Sequence, residues 1–232
     1  MALNPLRVAG ILFDLDNTLF DREAAFDTWA RRFIASHQWQ GDANADDLLA
    51  WAKESDADGY GSKRAVYKKL LQQSAEPKAD QPDPEEFYES FLDGISLSDD
   101  VVKMLDAIIV KNLPVGIVTN GGKWQWEKIQ RLNVRNWTNA IVVSNTFGQN
   151  KPAAPIFEHA SVLLGLTPKN ILFVGDNPEC DIAGASRVGM QTLWISRGHQ
   201  WPECLDRKFV NCEVKTISKM SAFVVEMLLH IR

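Results

Sequence analysis

Short, unbroken apolar runs recur along the chain at Val8–Phe13, Val115–Val118, Ala140–Val143, Ile171–Val174 and Thr192–Ile195. Runs of this length without polar alternation predict strands buried on both faces of a parallel sheet. Between the later runs the apolar period changes. Val101, Val102, Leu105, Ile108 and Ile109 form one helical stripe, with Ser98 placed to cap it; Ile156, Phe157, Ala160, Leu163 and Leu164 form another. Alternation of strand and helix from residue 98 to 195 predicts βαβ units, hence an α/β fold with a mainly parallel sheet. Met220, Phe223, Val224, Met227, Leu228 and Ile231 fall at the spacing of a packing helix. Residues 200–217 give no assignable pattern.

Residues 21–95 break the alternation. Their pattern predicts helices over 22–38, 44–54, 62–73 and 84–92 and no strand, with breaks at Gly59, Gly61, Pro77, Pro82 and Pro84. The expectation is a helical insertion, 21–95, between the first strand and the rest of a core made of 1–20 and 96–232. The total of 232 residues, about one and a half typical domain lengths, agrees with that division.

Composition changes this picture little: 45% hydrophobic and 24% charged residues are those of a globular protein. Charge is more informative. Of 25 Lys/Arg and 30 Asp/Glu, residues 21–95 hold 9 and 16, a net of −7, which leaves 16 and 14, a net of +2, for the core. A net −5 has no basic excess to neutralise a phosphate backbone, so no nucleic-acid polymer is expected as partner. The odd cysteine count (Cys180, Cys204 and Cys212), without a CxxC pair, speaks against a disulfide framework or zinc site. No run approaches the ~18 apolar residues of a membrane span. A cytoplasmic protein without a membrane partner is expected.

In open α/β sheets ligands bind beyond the carboxyl ends of the strands. Beyond Phe13 stand Asp14 and Asp16; beyond Val118, Thr119, Asn120, Gly121 and Gly122; beyond Val143, Ser144 and Asn145, with Lys151 a short loop further on; beyond Val174, Gly175, Asp176 and then Asp181. Any one of these reads equally well as an ordinary turn or solvated loop group. All of them in order, each beyond a strand, do not. Asp14, Asp16, Asp176 and Asp181 would repel one another unless a hard cation such as Mg²⁺ sat among them. Thr119 and the amides of Asn120 and Gly121 could hold phosphate oxygens, while Lys151 offers a compensating positive charge.

The stretches FDLDNTLF (Phe13–Phe20), TNGG (Thr119–Gly122), KPAAPIF (Lys151–Phe157) and GDNPECDIAGASRVGM (Gly175–Met190) together resemble the haloacid dehalogenase superfamily, in particular its phosphatases with a helical cap inserted after the first motif. The likeness covers about residues 8–20 and 95–197. One detail departs: Ala154 stands where a proline is more usual, and Pro155 follows. The resemblance implies a Rossmann-like three-layer core and an all-helical cap over 21–95, with hinges at Leu19–Asp21 and Asp93–Ser96. It further implies that Asp14 attacks phosphorus to form an aspartyl-phosphate, and that Asp16 serves as acid and then base. Mg²⁺ would be held by Asp14, the Asp16 carbonyl and Asp176, with Asp181 acting through water or holding Lys151. Thr119, Asn120, Gly121 and Lys151 would bind the phosphoryl group of a small phosphorylated metabolite.

Two alternatives stay open: a phosphomutase of the same superfamily, and a non-enzymatic phospho-acceptor signalling domain, whose usual length is about half of this chain's. A true dehalogenase lacks the second aspartate, so Asp16 counts against it. Substrate identity is not readable; Phe20, Arg22, Tyr60, Lys63 and Trp124 are the positions to test. Oligomeric state is likewise open.

Overall fold

The computed structural model describes residues 4–39, 44–59, 61, 63–72, 75 and 84–231. Six parallel strands form one sheet among them: β1 (Gly10–Phe13), β2 (Val115–Thr119), β3 (Ala140–Val143), β4 (Ile171–Gly175), β5 (Gln191–Ile195) and β6 (Cys212–Val214), in the order β3-β2-β1-β4-β5-β6. Every residue of β1, β2 and β4 is buried, which is why these segments read as continuous apolar runs. β6 is the strand that the hydrophobic pattern does not predict. It lies in the unassigned stretch 200–217, has only three residues with Glu213 in the middle, and pairs with β5 alone. The sheet therefore has one more strand than expected.

The contacts divide the chain into two compact units, Met1–Asp21 with Ser96–Arg232, and Arg22–Ile95. The second unit contains α1 (Arg22–Ser36), α2 (Ala45–Asp56), α3 (Lys63–Gln72) and α4 (Pro84–Leu92). These fall on the four predicted helices with ends shifted by up to two residues. Asn44 caps α2 by accepting from the Asp47 N–H at 2.8 Å, and Ala57 ends the helix in the left-handed region at φ 45°. Inside this unit Arg22 and Asp56 form a buried two-pronged ion pair, 2.6 and 2.7 Å. The Arg22 guanidinium also faces the rings of Phe26 and Phe91.

In the first unit follow α5 (Asp99–Val110), α6 (Lys123–Arg131), α7 (Ser144–Phe147), α8 (Ala154–Leu164), a π-helical segment Pro178–Ala183, α9 (Gly184–Arg187) and α10 (Ile217–Leu228). Ser98 caps α5 as expected, accepting from Val101 N–H. The closing helix α10 packs on α5 through Met220, Val224, Met227 and Leu228. Leu12, Val118, Ile156, Phe157, Phe173 and Met190 meet in a core between sheet and helices. No helix among the described residues is long and apolar enough to cross a membrane.

Candidate active site

The central strands β1 and β4 lie side by side, with Phe13 opposite Val174, so both release their chains at one point of the sheet edge. Asp14 follows β1 directly, and its N–H still donates to the Val174 carbonyl at 2.9 Å. Asp176 follows β4. Asp181 reaches back from the π-helical segment, its Oδ2 accepting from Asn177 N–H at 3.0 Å. Gly175 makes that approach possible: a Cβ there would stand 2.5 Å from Asp181 Oδ2. One carboxylate oxygen from each of Asp14, Asp176 and Asp181 lies within 4.8 Å of the others.

Lys151 enters from the loop after β3 and is buried. Its Nζ donates to Asp14 Oδ1 and to Asp181 Oδ1, each at 2.6 Å. The loop is tied to the end of β2 by a reciprocal pair. Asn120 Nδ2 donates to the Lys151 carbonyl at 3.0 Å, and Lys151 N–H donates to Asn120 Oδ1 at 2.8 Å. Burial pushes the Asp14 carboxyl up to about 7; Lys151 opposes the shift, and Asp181 and Asp16 add to it. Asp176 is held well above the usual carboxylate range by burial, then by Asp181 and Asp14. Burial alone would lower the Lys151 ammonium, but its two carboxylates outweigh that and raise it.

Three carboxylates thus converge on one buried ammonium, so negative charge is in excess at this point. This all-oxygen donor set fits a hard divalent cation. Asp14 and Asp176 are the better direct ligands, because both oxygens of Asp181 already accept hydrogen bonds.

The remaining predicted groups separate. Thr119 is buried, and its Oγ1 accepts from Gln125 Nε2 at 2.6 Å, which leaves its own O–H to donate elsewhere. The Asn120 side chain is engaged by the Lys151 backbone, and the Gly121 N–H donates to Ser144 Oγ at 3.0 Å. Asp16 is not surrounded by carboxylates alone: Lys128 Nζ and Gln125 Nε2 reach it at 2.5 and 2.7 Å. Arg197, in the left-handed region at φ 52° beyond β5, lies 3.9 Å from both Asp176 and Asp21.

Sequence reasoning missed Gln125, Lys128 and Arg197. The available signal was their placement: two polar residues three apart on the helix after the TNGG turn, and a cation two residues past a strand. Of the substrate-reading candidates, Phe20 is buried, Arg22 belongs to its buried ion pair, and Trp124 is half-buried beneath Lys123 Nζ. Tyr60 and the Lys63 side chain lie outside the described residues.

Aspartates beyond β1 and β4, a lysine bridging Asp14 and Asp181 and a Thr-Asn-Gly turn beyond β2 make up the site. Residues 11–195 match the Haloacid dehalogenase-like hydrolase family, and the chain belongs to that family. Among named relatives, a glyceraldehyde 3-phosphate phosphatase of Methanopyrus kandleri is 29% identical over 82% of this chain and 85% of its own. An N-acylneuraminate-9-phosphatase of Mus musculus is 28% identical over 84% and 86%. The fold is shared with the HAD-hydrolase YfnB of Bacillus subtilis, solved bound to magnesium: TM-score 0.67, 19% identity, 94% of this chain and 99% of that one.

Proposed function

We propose that this enzyme is a Mg²⁺-dependent phosphoric monoester hydrolase that releases phosphate from a small phosphorylated metabolite by way of phosphorylated Asp14. The observation that carries the reading is the buried Asp14 carboxylate, fixed at the end of β1 by Lys151 and flanked by Asp16, Asp176 and Asp181. The phosphatase names of relatives aligned over most of the chain support it.

An Asp14 oxygen attacks phosphorus, the ester P–O bond breaks, and Asp16 passes a proton to the departing oxygen. Water then attacks the same phosphorus, Asp14 departs as carboxylate, and Asp16 takes the water's proton. Lys151 keeps Asp14 available as an anion inside a buried site and offsets phosphoryl charge. Thr119 donates its hydroxyl hydrogen to a phosphoryl oxygen. Asp14, Asp176 and the Asp16 carbonyl would hold Mg²⁺, which supplies the positive charge that lets an anionic nucleophile approach an anionic ester. The unit Arg22–Ile95 serves as a cap that selects the substrate. Its position in the chain, between the Asp14 strand and the rest of the sheet, supports that role. A cytoplasmic location fits the free thiols of Cys180, Cys204 and Cys212.

The test is phosphate release from 4-nitrophenyl phosphate, then from a metabolite panel including sugar phosphates, with Mg²⁺ and with chelator. Release should require Mg²⁺, and Asp14→Asn should abolish it in a folded protein. Undiminished turnover by that variant would refute the nucleophile. Interconversion of phosphate isomers without phosphate release would replace the reading by a mutase.

A further inference from the structure

Helix α6 carries two side chains with no part in the chemistry above. Gln125 and Lys128 are three residues apart and share one face of the helix. Both converge on Asp16, more than a hundred residues away in sequence. Lys128 Nζ meets Asp16 Oδ1 at 2.5 Å and Gln125 Nε2 meets Oδ2 at 2.7 Å, so each carboxylate oxygen has its own donor. The same Gln125 nitrogen donates to Thr119 Oγ1 at 2.6 Å, which couples the carboxylate to the phosphate turn. Both side chains are buried, and the Lys128 ammonium also faces the Phe20 ring at 5.8 Å.

Gly121 makes room for this arrangement. Its φ is +144°, and a Cβ there would stand 2.5 Å from Gln125 Cγ. Burying an ammonium is unfavourable unless it is paired. A methionine would fill the same space without that penalty. What Lys128 adds is charge delivered to one oxygen of Asp16.

We propose that Gln125 and Lys128 are positioning residues that hold the Asp16 carboxyl group in one orientation, so that once its proton has gone to the leaving oxygen it is placed to act as the base in the second half of the reaction. The inference rests on the phosphatase reading and deepens it. In that half a water oxygen bonds to the phosphorus of phospho-Asp14. The P–O bond to Asp14 breaks, its electron pair returns to the Asp14 carboxylate, and the water proton passes to Asp16. A carboxylate gripped at both oxygens by groups on a rigid helix cannot rotate away from that water.

The experiment is stopped-flow turnover of 4-nitrophenyl phosphate with Mg²⁺ by full-length Lys128→Met and Gln125→Leu. Nitrophenolate leaves without much acid assistance, so transfer to Asp14 should survive, with kcat/KM within about twofold of wild type. Hydrolysis of phospho-Asp14 should slow, so kcat and KM fall together by about tenfold or more. A nitrophenolate burst approaching one per chain should precede the steady state, and Lys128→Arg should restore part of kcat. Damage to folding would instead lower kcat/KM and burst amplitude alike, and circular dichroism separates that case; Gln125→Leu then carries the test. A fall in kcat/KM matching that in kcat, without a burst, in a folded variant would overturn the proposal. So would a rise in KM alone, or no change in both variants. Wild-type turnover that survives Asp14→Asn would overturn the phosphatase reading itself, and this inference with it.

Discussion

Lys151 is the point at which the electrostatics of the site can be tested most directly. Lys151→Met keeps most of the side-chain volume but removes the ammonium that meets Asp14 and Asp181 at 2.6 Å each. Deleting one partner of a buried ion pair costs about 3–5 kcal/mol, because the other charge is left buried without compensation. For a chain of this length 1 kcal/mol moves Tm by roughly 2–4 °C, so the expected loss is roughly 6–20 °C. Its pH dependence follows from Asp14. The folded-state pKa is raised by burial to about 7, whereas an unfolded aspartate titrates near its ordinary value of 3.8. The folded chain therefore binds a proton that the unfolded chain releases. That stabilisation is complete below about pH 4 and is lost as pH rises through 7. Without Lys151 to oppose the shift, the loss extends to higher pH in the variant. Thermal unfolding followed by circular dichroism in chelator, at pH 5 and pH 8, reads both effects: the gap between variant and wild type should be largest at pH 8. Added MgCl₂ should raise Tm of both proteins at pH 8, by linkage to a site that only the folded chain possesses. A variant within 2 °C of wild type at pH 8 in chelator, taken as roughly 1 kcal/mol or less, would refute the claim that Lys151 compensates these carboxylates.

Two further substitutions probe how the site and the helical unit are built. Gly175→Ala places a Cβ within 2.5 Å of Asp181 Oδ2; it should displace that carboxylate, weaken Mg²⁺-dependent stabilisation by about tenfold in apparent affinity, and reduce turnover, as calorimetric titration and phosphate release would register. Asp56→Ala removes the carboxylate that meets the Arg22 guanidinium, whose side chain is only 4% exposed. It should destabilise the Arg22–Ile95 unit by about 3–5 kcal/mol, seen as faster amide exchange across α1 and α2, while protection in β1 and β4 is retained.

The core was legible wherever burial on both faces erased polar alternation, as in β1, β2 and β4. β6 was not, because a three-residue edge strand with a charged centre leaves no hydrophobic signature. The strand-end groups Asp14, Thr119, Lys151, Asp176 and Asp181 could be read in order because a parallel sheet delivers all its carboxyl ends to one edge. What could not be read was how each group's hydrogen-bonding capacity is divided. A lysine on a polar helix such as α6 reads as a solvated charge until the helix is rotated against the sheet and Lys128 faces inward. That the Asn120 side chain ties down the loop bearing Lys151, and that the Gly121 N–H donates to Ser144 Oγ, leaves no mark in the sequence pattern. Arg22 looks like a substrate anchor until Asp56, 34 residues on, is found to enclose it.

The reciprocal pairing of Asn120 with the Lys151 backbone bears on how the molecule acquires its chemistry. Lys151 reaches Asp14 across 137 residues of sequence, and it is held there by an amide that is in place only once β2 has closed onto β1 and β3 onto β2. Contacts of such long sequence separation form late, after the loop-closure entropy has been met. A chain in which that pairing has not formed has the aspartates without their counterion. Competence therefore depends on β1, β2 and β3 being paired, so turnover reports the completeness of that part of the sheet.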